Sequence, residues 1–210
     1  MILPQSHTLT TRHLNRVFDN TVATYKYYWF LGILDACVKQ GKSRINVWDI
    51  MISMVANAWH PVNYFRLSFG KSESLYDAII TLQREYNIPI NISINELTEL
   101  LQTLVQRIEV RRLLNFLQMN VPFRFLRPWI DTSDDKQMVL RSQTFENGCL
   151  YKLEKIDRIW WIEINPAWLP YLRENYDILT SFAYWGLTNF LQVRNPNVPN
   201  IPNKLIKKEE

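Results

Sequence analysis

The run Thr24-Tyr25-Lys26-Tyr27-Tyr28-Trp29-Phe30-Leu31-Gly32-Ile33-Leu34-Asp35 leaves a helix with no polar face. A helix that is hydrophobic all round has to be enclosed by protein or by lipid. Lys26 and Asp35 interrupt the run, and a bilayer span needs about 20 apolar residues. The segment therefore reads as the central helix of a soluble fold, over about 21–40, preceded by a polar stretch over 12–20. This one requirement drives the fold class: a mainly α, multi-helix bundle built around a buried aromatic helix.

Composition agrees with a large core. Hydrophobic residues make up 47% of the 210 and charged residues 21%, which excludes global disorder. Eight Trp, ten Tyr and ten Phe belong mostly inside, since each large aromatic buries roughly 150–250 Å². Five Gly argue against a glycine-rich phosphate loop or a turn-rich barrel. The length exceeds the common domain size of about 100–150 residues and suits one large domain or two closely packed halves. We read 1–194 as a single helical domain with an inserted hairpin, and 195–210 as a proline-containing exit linker. The net charge of +4 permits an anionic partner without demanding one. Cys37 and Cys149 lie far apart, in no metal-type spacing, and imply a reducing, cytoplasmic setting. Residues 1–10 lack the basic head and apolar run of a signal peptide.

Helix signals dominate the rest of the chain. Leu14, Val17 and Phe18 predict a short helix over 10–20. Thr21 or Thr24 is the candidate cap of the aromatic helix, and Gly41 its end. Residues 44–48 read as extended, and 49–59 as an apolar helix stopped by Pro61. Ser72 or Ser74 opens a helix to about Tyr86. Ser93-Ile94-Asn95-Glu96 is a capping box. The helix it starts carries Leu97, Leu101, Leu104 and Ile108 on one face. Val110, Leu113, Leu114 and Leu117 fall on the other, so the helix either breaks near Glu109 or lies between two layers. Pro122 and Pro128 punctuate a segment read as irregular. Two β-prone runs, 150–153 and 159–164, predict one small hairpin over 148–164, joined through Lys155-Ile156-Asp157. Asn165-Pro166 reads as N-cap and N1 of a helix over 167–175, with another over 178–193. Residues 195–203 read as unable to carry a helix on. No internal repeat is present.

Catalytic and metal motifs are not assembled by the sequence. His7, His13 and His60 stand alone, without a zinc-type spacing. Asp134-Asp135 follows Thr132-Ser133 and reads as a solvated loop or N-cap rather than a metal pair. Glu154, Asp157 and Glu163 lie on the hairpin, but Glu163-Ile164-Asn165 lacks the lysine that a restriction-type nuclease strand requires. No Gly-x-Ser-x-Gly or Walker-type loop occurs. No catalytic residue, metal ligand or cofactor is therefore expected. The basic signal is sharper: Arg107, Arg111, Arg112, Arg124 and Arg127 stand against a single Glu109 between 103 and 130. Arg107 and Arg111 are one helical turn apart and predict a shared exposed face. Arg124 and Arg127 interleave with Phe123, Phe125 and Trp129. Arginine forks fit phosphate oxygens and aromatics can stack on bases, which makes these five the candidate nucleic-acid contacts. The alternative is that the arginines pair with carboxylates elsewhere while Phe and Trp fill the core. Arg12 and Arg16 form a second helical pair.

Leu14-Asn15-Arg16-Val17-Phe18-Asp19-Asn20-Thr21, followed by the aromatic run from Thr24 to Asp35, resembles the amino-terminal region of a bacterial family of HNH endonuclease-domain proteins. Ala56-Asn57-Ala58-Trp59, Asn120-Val121-Pro122-Phe123-Arg124 and Arg194-Asn195-Pro196-Asn197-Val198-Pro199 resemble further segments of that region, in the same order. In the family, a His-Asn-His module that holds a metal and activates water follows the exit segment. Here the sequence ends in Lys207-Lys208-Glu209-Glu210, and none of the three histidines matches that module. The resemblance therefore implies an excised amino-terminal module or a protein lacking the nuclease, and carries over no catalytic residue.

The expected function is a non-catalytic DNA-recognition or positioning module, working by charge neutralisation and counterion release, with a nuclease domain or another protein as a further partner. The competing reading is a protein-interaction or sensing module that exposes Trp160, Trp161, Trp168 and Trp185. A third is an aromatic-lined small-molecule pocket. A positive stripe, an apolar patch or a closed cavity on the surface distinguishes the three.

Overall fold

The computed structural model describes residues 2–19, 21–71 and 73–206. Helix α1 (Arg12–Asn15) is a single turn, shorter than the sequence suggests; Asn20, its expected end, lies outside the described residues, as do Ser72 and 207–210. Helix α2 (Tyr25–Leu34) buries every side chain from Tyr27 to Leu34, as its lack of a polar face requires. It widens into a π-helical turn, Asp35–Lys39, and stops at Gly41, whose φ of +66° is the left-handed conformation that glycine adopts without a steric penalty.

Strand β1 (Arg44–Asn46) leads directly into α3 (Val47–Asn63), with the Asn46 side chain accepting from the Trp48 amide. Only 44–46 of the expected extended stretch is strand, and α3 starts earlier and runs past Pro61. A proline in the last turn removes just one helical bond, which is why it does not end the helix. Helix α4 (Ser74–Glu85) is followed by α5 (Ile94–Leu104), whose Ser93–Glu96 capping box is formed in both directions. The chain breaks over 105–107 and resumes as α6 (Ile108–Leu126), so the switch of apolar face reflects two helices. Ile108, expected on the buried face, is 56% exposed.

Helix α6 also passes through Pro122, correcting the irregular segment expected there. The proline removes the bond to the Gln118 carbonyl, and two side-chain bonds lie beside it. Asn120 Nδ2 donates to the Phe116 carbonyl at 2.7 Å, and the Tyr151 hydroxyl donates to the Pro122 carbonyl at 2.7 Å.

Helix α7 (Asp135–Ser142) is capped by Asp134, which accepts from the Lys136 and Gln137 amides. The hairpin follows as β2 (Tyr151–Ile156) and β3 (Ile159–Ile164). Its turn is the pair Asp157-Arg158, both at positive φ (49° and 66°), the geometry of a two-residue turn that normally selects Asn and Gly. Strand β1 adds to β3, with Ile45 opposite Ile162, making a three-stranded antiparallel sheet in the order β1-β3-β2. At the β2 edge, the Leu153 amide donates to Ser142 Oγ and the Gln143 side-chain Nε2 donates to the Leu153 carbonyl.

Helices α8 (Trp168–Glu174) and α9 (Tyr176–Arg194) complete the core. At α8 the Asn165 side chain accepts from the Ala167 amide at 3.1 Å. The fold is thus mainly α, with α2 packed against α3, α6 and α9. Trp29 and Phe30 are wholly buried. Trp29 Nε1 donates to the Tyr151 hydroxyl at 3.1 Å, joining α2 through β2 to α6. The approach of α9 to α2 needs Gly186: a Cβ there would lie 2.6 Å from Tyr27 Cε1.

The stretch expected as an exit linker lies along the fold as far as Ile206. Asn195 exchanges two bonds with the Ser68 backbone, at 2.8 and 2.9 Å. Helix α10 (Pro202–Leu205) packs on α3 and α9 with Ile201 and Leu205 buried. Pro202 fits at its first turn, where the missing amide is no loss.

Candidate functional site

The amino-terminal turn of α2 is held by a side chain from far along the chain. Neither Thr21 nor Thr24 caps it: Thr21 Oγ1 donates to the Phe18 carbonyl, and Thr24 gives both its amide and its hydroxyl to the Glu73 carboxylate. The same carboxylate accepts from the Tyr76 amide at 3.1 Å and so also caps α4. Ser74, the described candidate for that cap, instead gives its amide to the Tyr25 hydroxyl at 3.0 Å. Burial raises the Glu73 pKa, while its hydrogen-bond donors at Thr24, Tyr76 and Leu75 pull it down.

Lys26 stands on the next residues of this turn. It is half-buried, and its ammonium donates to the Val17 carbonyl at 3.1 Å. Burial holds its pKa below the usual lysine range, helped by Arg127 and Arg124 and opposed by Asp19. Asp19 itself pairs with Arg16 at 3.3 Å. Between residues 21–26 and the carboxyl-terminal half of α6 lies a cleft of about 170 Å³, with Lys26, Arg124 and Arg127 on its walls and no Asp or Glu among its lining residues. Arg124 and Arg127 are exposed and form no salt bridge among the described residues.

The five sequence-selected arginines do not form one face. Arg107 precedes α6 as its N-cap and lies over the Tyr86 ring, 5.5 Å from its centre. Arg111 is half-buried. Its Nε donates to the Val105 carbonyl at 2.8 Å and its guanidinium lies 5.6 Å from the Trp48 ring centre. It therefore ties α6 to the end of α5 rather than standing on an exposed face with Arg107. Arg112 is exposed. Arg107 and Arg124 are separated by roughly 25 Å along the helix, at about 1.5 Å per residue. The residue that sequence reasoning missed is Lys26, whose only signal was its interruption of an apolar run.

Elsewhere the chemistry is dispersed. His7 is exposed, His13 Nδ1 bonds the Pro128 carbonyl, and His60 stacks on Tyr64 with ring centres 4.6 Å apart. Among the described residues no group of His, Cys, Asp or Glu is arranged to hold a metal ion. Cys37 and Cys149 are free and buried, and burial pushes both thiols up to about 12. Glu154 and Glu163 are joined in ion pairs with Arg44 and Lys152.

The four tryptophans of the interaction reading do not share a surface: Trp168 is buried, Trp160 packs edge-on to Phe123, Trp161 lies under Arg44, and Trp185 on α9 is 52% exposed. A larger groove of about 910 Å³ runs past Trp59, Tyr64, Phe65 and Tyr184 and reaches Leu205 and Ile206, where the described chain ends. Among the described residues no helix is long and apolar enough to cross a membrane.

No family model, curated protein or solved structure matches this chain.

Proposed function

We propose that the chain is a non-catalytic DNA-binding module that positions a nuclease domain or other protein partner on the phosphate backbone, in the cytoplasm, where Cys37 and Cys149 stay reduced. The observation that carries this reading is the meeting of Lys26, Arg124 and Arg127 around one cleft that no carboxylate lines. Surface arginines in a structural role are normally spread among acidic partners. Here two exposed guanidinium groups and a half-buried ammonium repel one another, and a polyanion relieves that repulsion. The resemblance to the region that precedes an HNH nuclease supports DNA as the polyanion. Arg107, the N-cap of α6, and Arg112 are exposed elsewhere and are not part of this cleft, while Arg111 serves the α5–α6 junction.

The test is duplex DNA binding as a function of salt for the wild type and for Arg124→Ala with Arg127→Ala. Both side chains are exposed, so the double variant is expected to fold. Two lost phosphate contacts flatten the log K against log salt slope by roughly 1.8, at about 0.9 each. A folded double variant with the wild-type affinity and slope refutes the assignment.

A further inference from the structure

We propose that the cleft between the first turn of α2 and the end of α6 is a receptor for a phosphate monoester at the end of a nucleic-acid strand. This deepens the DNA-binding reading and rests on it for the identity of the strand.

The cleft is small, cationic and half open to solvent. Its volume is about 170 Å³, room for roughly six waters at about 30 Å³ each. That admits a phosphate group with its nearest sugar atoms, but not a stacked nucleotide. The charges agree with the size. A monoester carries close to two negative charges at neutral pH and three strong acceptor oxygens. An internal phosphodiester carries one. Three cationic side chains, Lys26, Arg124 and Arg127, border the cleft, so one donor group is available to each terminal oxygen.

The donors are also prepared for such a ligand. Among the described residues the Lys26 ammonium donates to one neutral carbonyl, that of Val17, and keeps further N–H groups to give. Arg124 and Arg127 extend from the last turn of α6 and its C-cap, and their guanidinium forks suit phosphate oxygens in pairs. The helix terminus itself is not the receptor: the Thr24 amide is already taken by Glu73. Glu73 is buried, with 5% of its surface exposed, and it is absent from the cleft lining. The ligand is therefore recognised by the three side chains.

The experiment compares one short duplex carrying 5′-phosphate, 3′-phosphate or only hydroxyl ends, and a closed form of it without ends. Binding is read by anisotropy from an internal label, for the wild type, Lys26→Gln and Arg124→Gln. Melting of each protein with and without inorganic phosphate gives a readout independent of DNA. The expected result is a phosphorylated end bound about tenfold or more tightly than a hydroxyl end, the scale of one or two charge-assisted bonds. Both variants lose that preference, and the 5′ and 3′ arms show which end is read.

Equal binding of phosphorylated, hydroxyl-ended and closed duplexes overturns the monoester receptor but leaves backbone binding standing. Stabilisation by phosphate that both variants lose, with no duplex bound even at low salt, retains the receptor and refutes the DNA reading. Neither stabilisation nor binding refutes both. Arg124→Gln changes an exposed side chain, so it tests the cleft even if Lys26→Gln fails to fold.

Discussion

Removing the Glu73 carboxylate should loosen two helix starts at once. In Glu73→Ala the Tyr76 amide of α4 and the Thr24 amide before α2 each lose their acceptor. A lost cap costs about 1 kcal/mol. The Thr24 hydroxyl, fully buried, is left without its partner, at about 1–3 kcal/mol. Against this, the variant no longer desolvates a carboxylate. The net loss is about 2–3 kcal/mol, which for a chain of this size lowers Tm by roughly 5–10 °C at about 2–4 °C per kcal/mol.

The pH dependence fixes the mechanism. Burial raises the Glu73 pKa above its ordinary value of 4.5, so the folded chain holds that proton more tightly than the unfolded chain. The stabilisation from this group is fullest below the ordinary value and is lost as pH rises through the folded one. The gap in Tm between wild type and Glu73→Ala should therefore be wider in acid than at neutral pH. Thermal unfolding followed by circular dichroism across that range measures it. An unchanged Tm, or a gap that grows as pH rises, refutes the role assigned to Glu73.

Trp29→Ala and Phe30→Ala each remove a wholly buried ring from α2 and should cost about 3–5 kcal/mol; denaturant unfolding with a wild-type midpoint for Trp29→Ala would contradict the central-helix packing. Replacing Asp157-Arg158 by Asn-Gly relieves two left-handed residues in the hairpin turn and should add about 0.5–1 kcal/mol, read as a higher midpoint. Lys26→Met should keep or raise Tm while weakening DNA binding; a variant that binds DNA as the wild type does argues against Lys26 as a contact.

Signals confined to a few neighbouring residues were legible. The capping box at Ser93–Glu96, the Asp134 cap and the hairpin strands all depend on short stretches of chain, and all formed. Features that depend on distant partners were not. Glu73 reaches Thr24 across 49 positions, so the cap of α2 could not be read from the threonines beside it. Strand β1 is only Arg44–Asn46 and exists because β3 offers it an edge. Pro122 reads locally as a break, yet α6 runs through it, and its carbonyl accepts from Tyr151, 29 positions away. The arginines divided in the same way: the charge of Arg124 and Arg127 was visible, but the commitment of Arg111 to the Val105 carbonyl was not.

Lys26 shows why the site was less legible than the fold. Periodicity treats it as a blemish in an aromatic helix, since only chain folding brings it beside Arg124 and Arg127. Energetically it is costly where it stands. Burial, Arg127 and Arg124 disfavour its ammonium, Asp19 offsets them only in part, and the bonded carbonyl of Val17 is uncharged. An apolar side chain of similar length would pack against the same turn without that penalty. A residue that breaks the local rule at a cost in stability, on the wall of a cleft, is the pattern expected of a position kept for binding. Under the proposed phosphate binding, the incoming anion would remove the repulsion among Lys26, Arg124 and Arg127, so stability and ligand affinity would pull in opposite directions at this position.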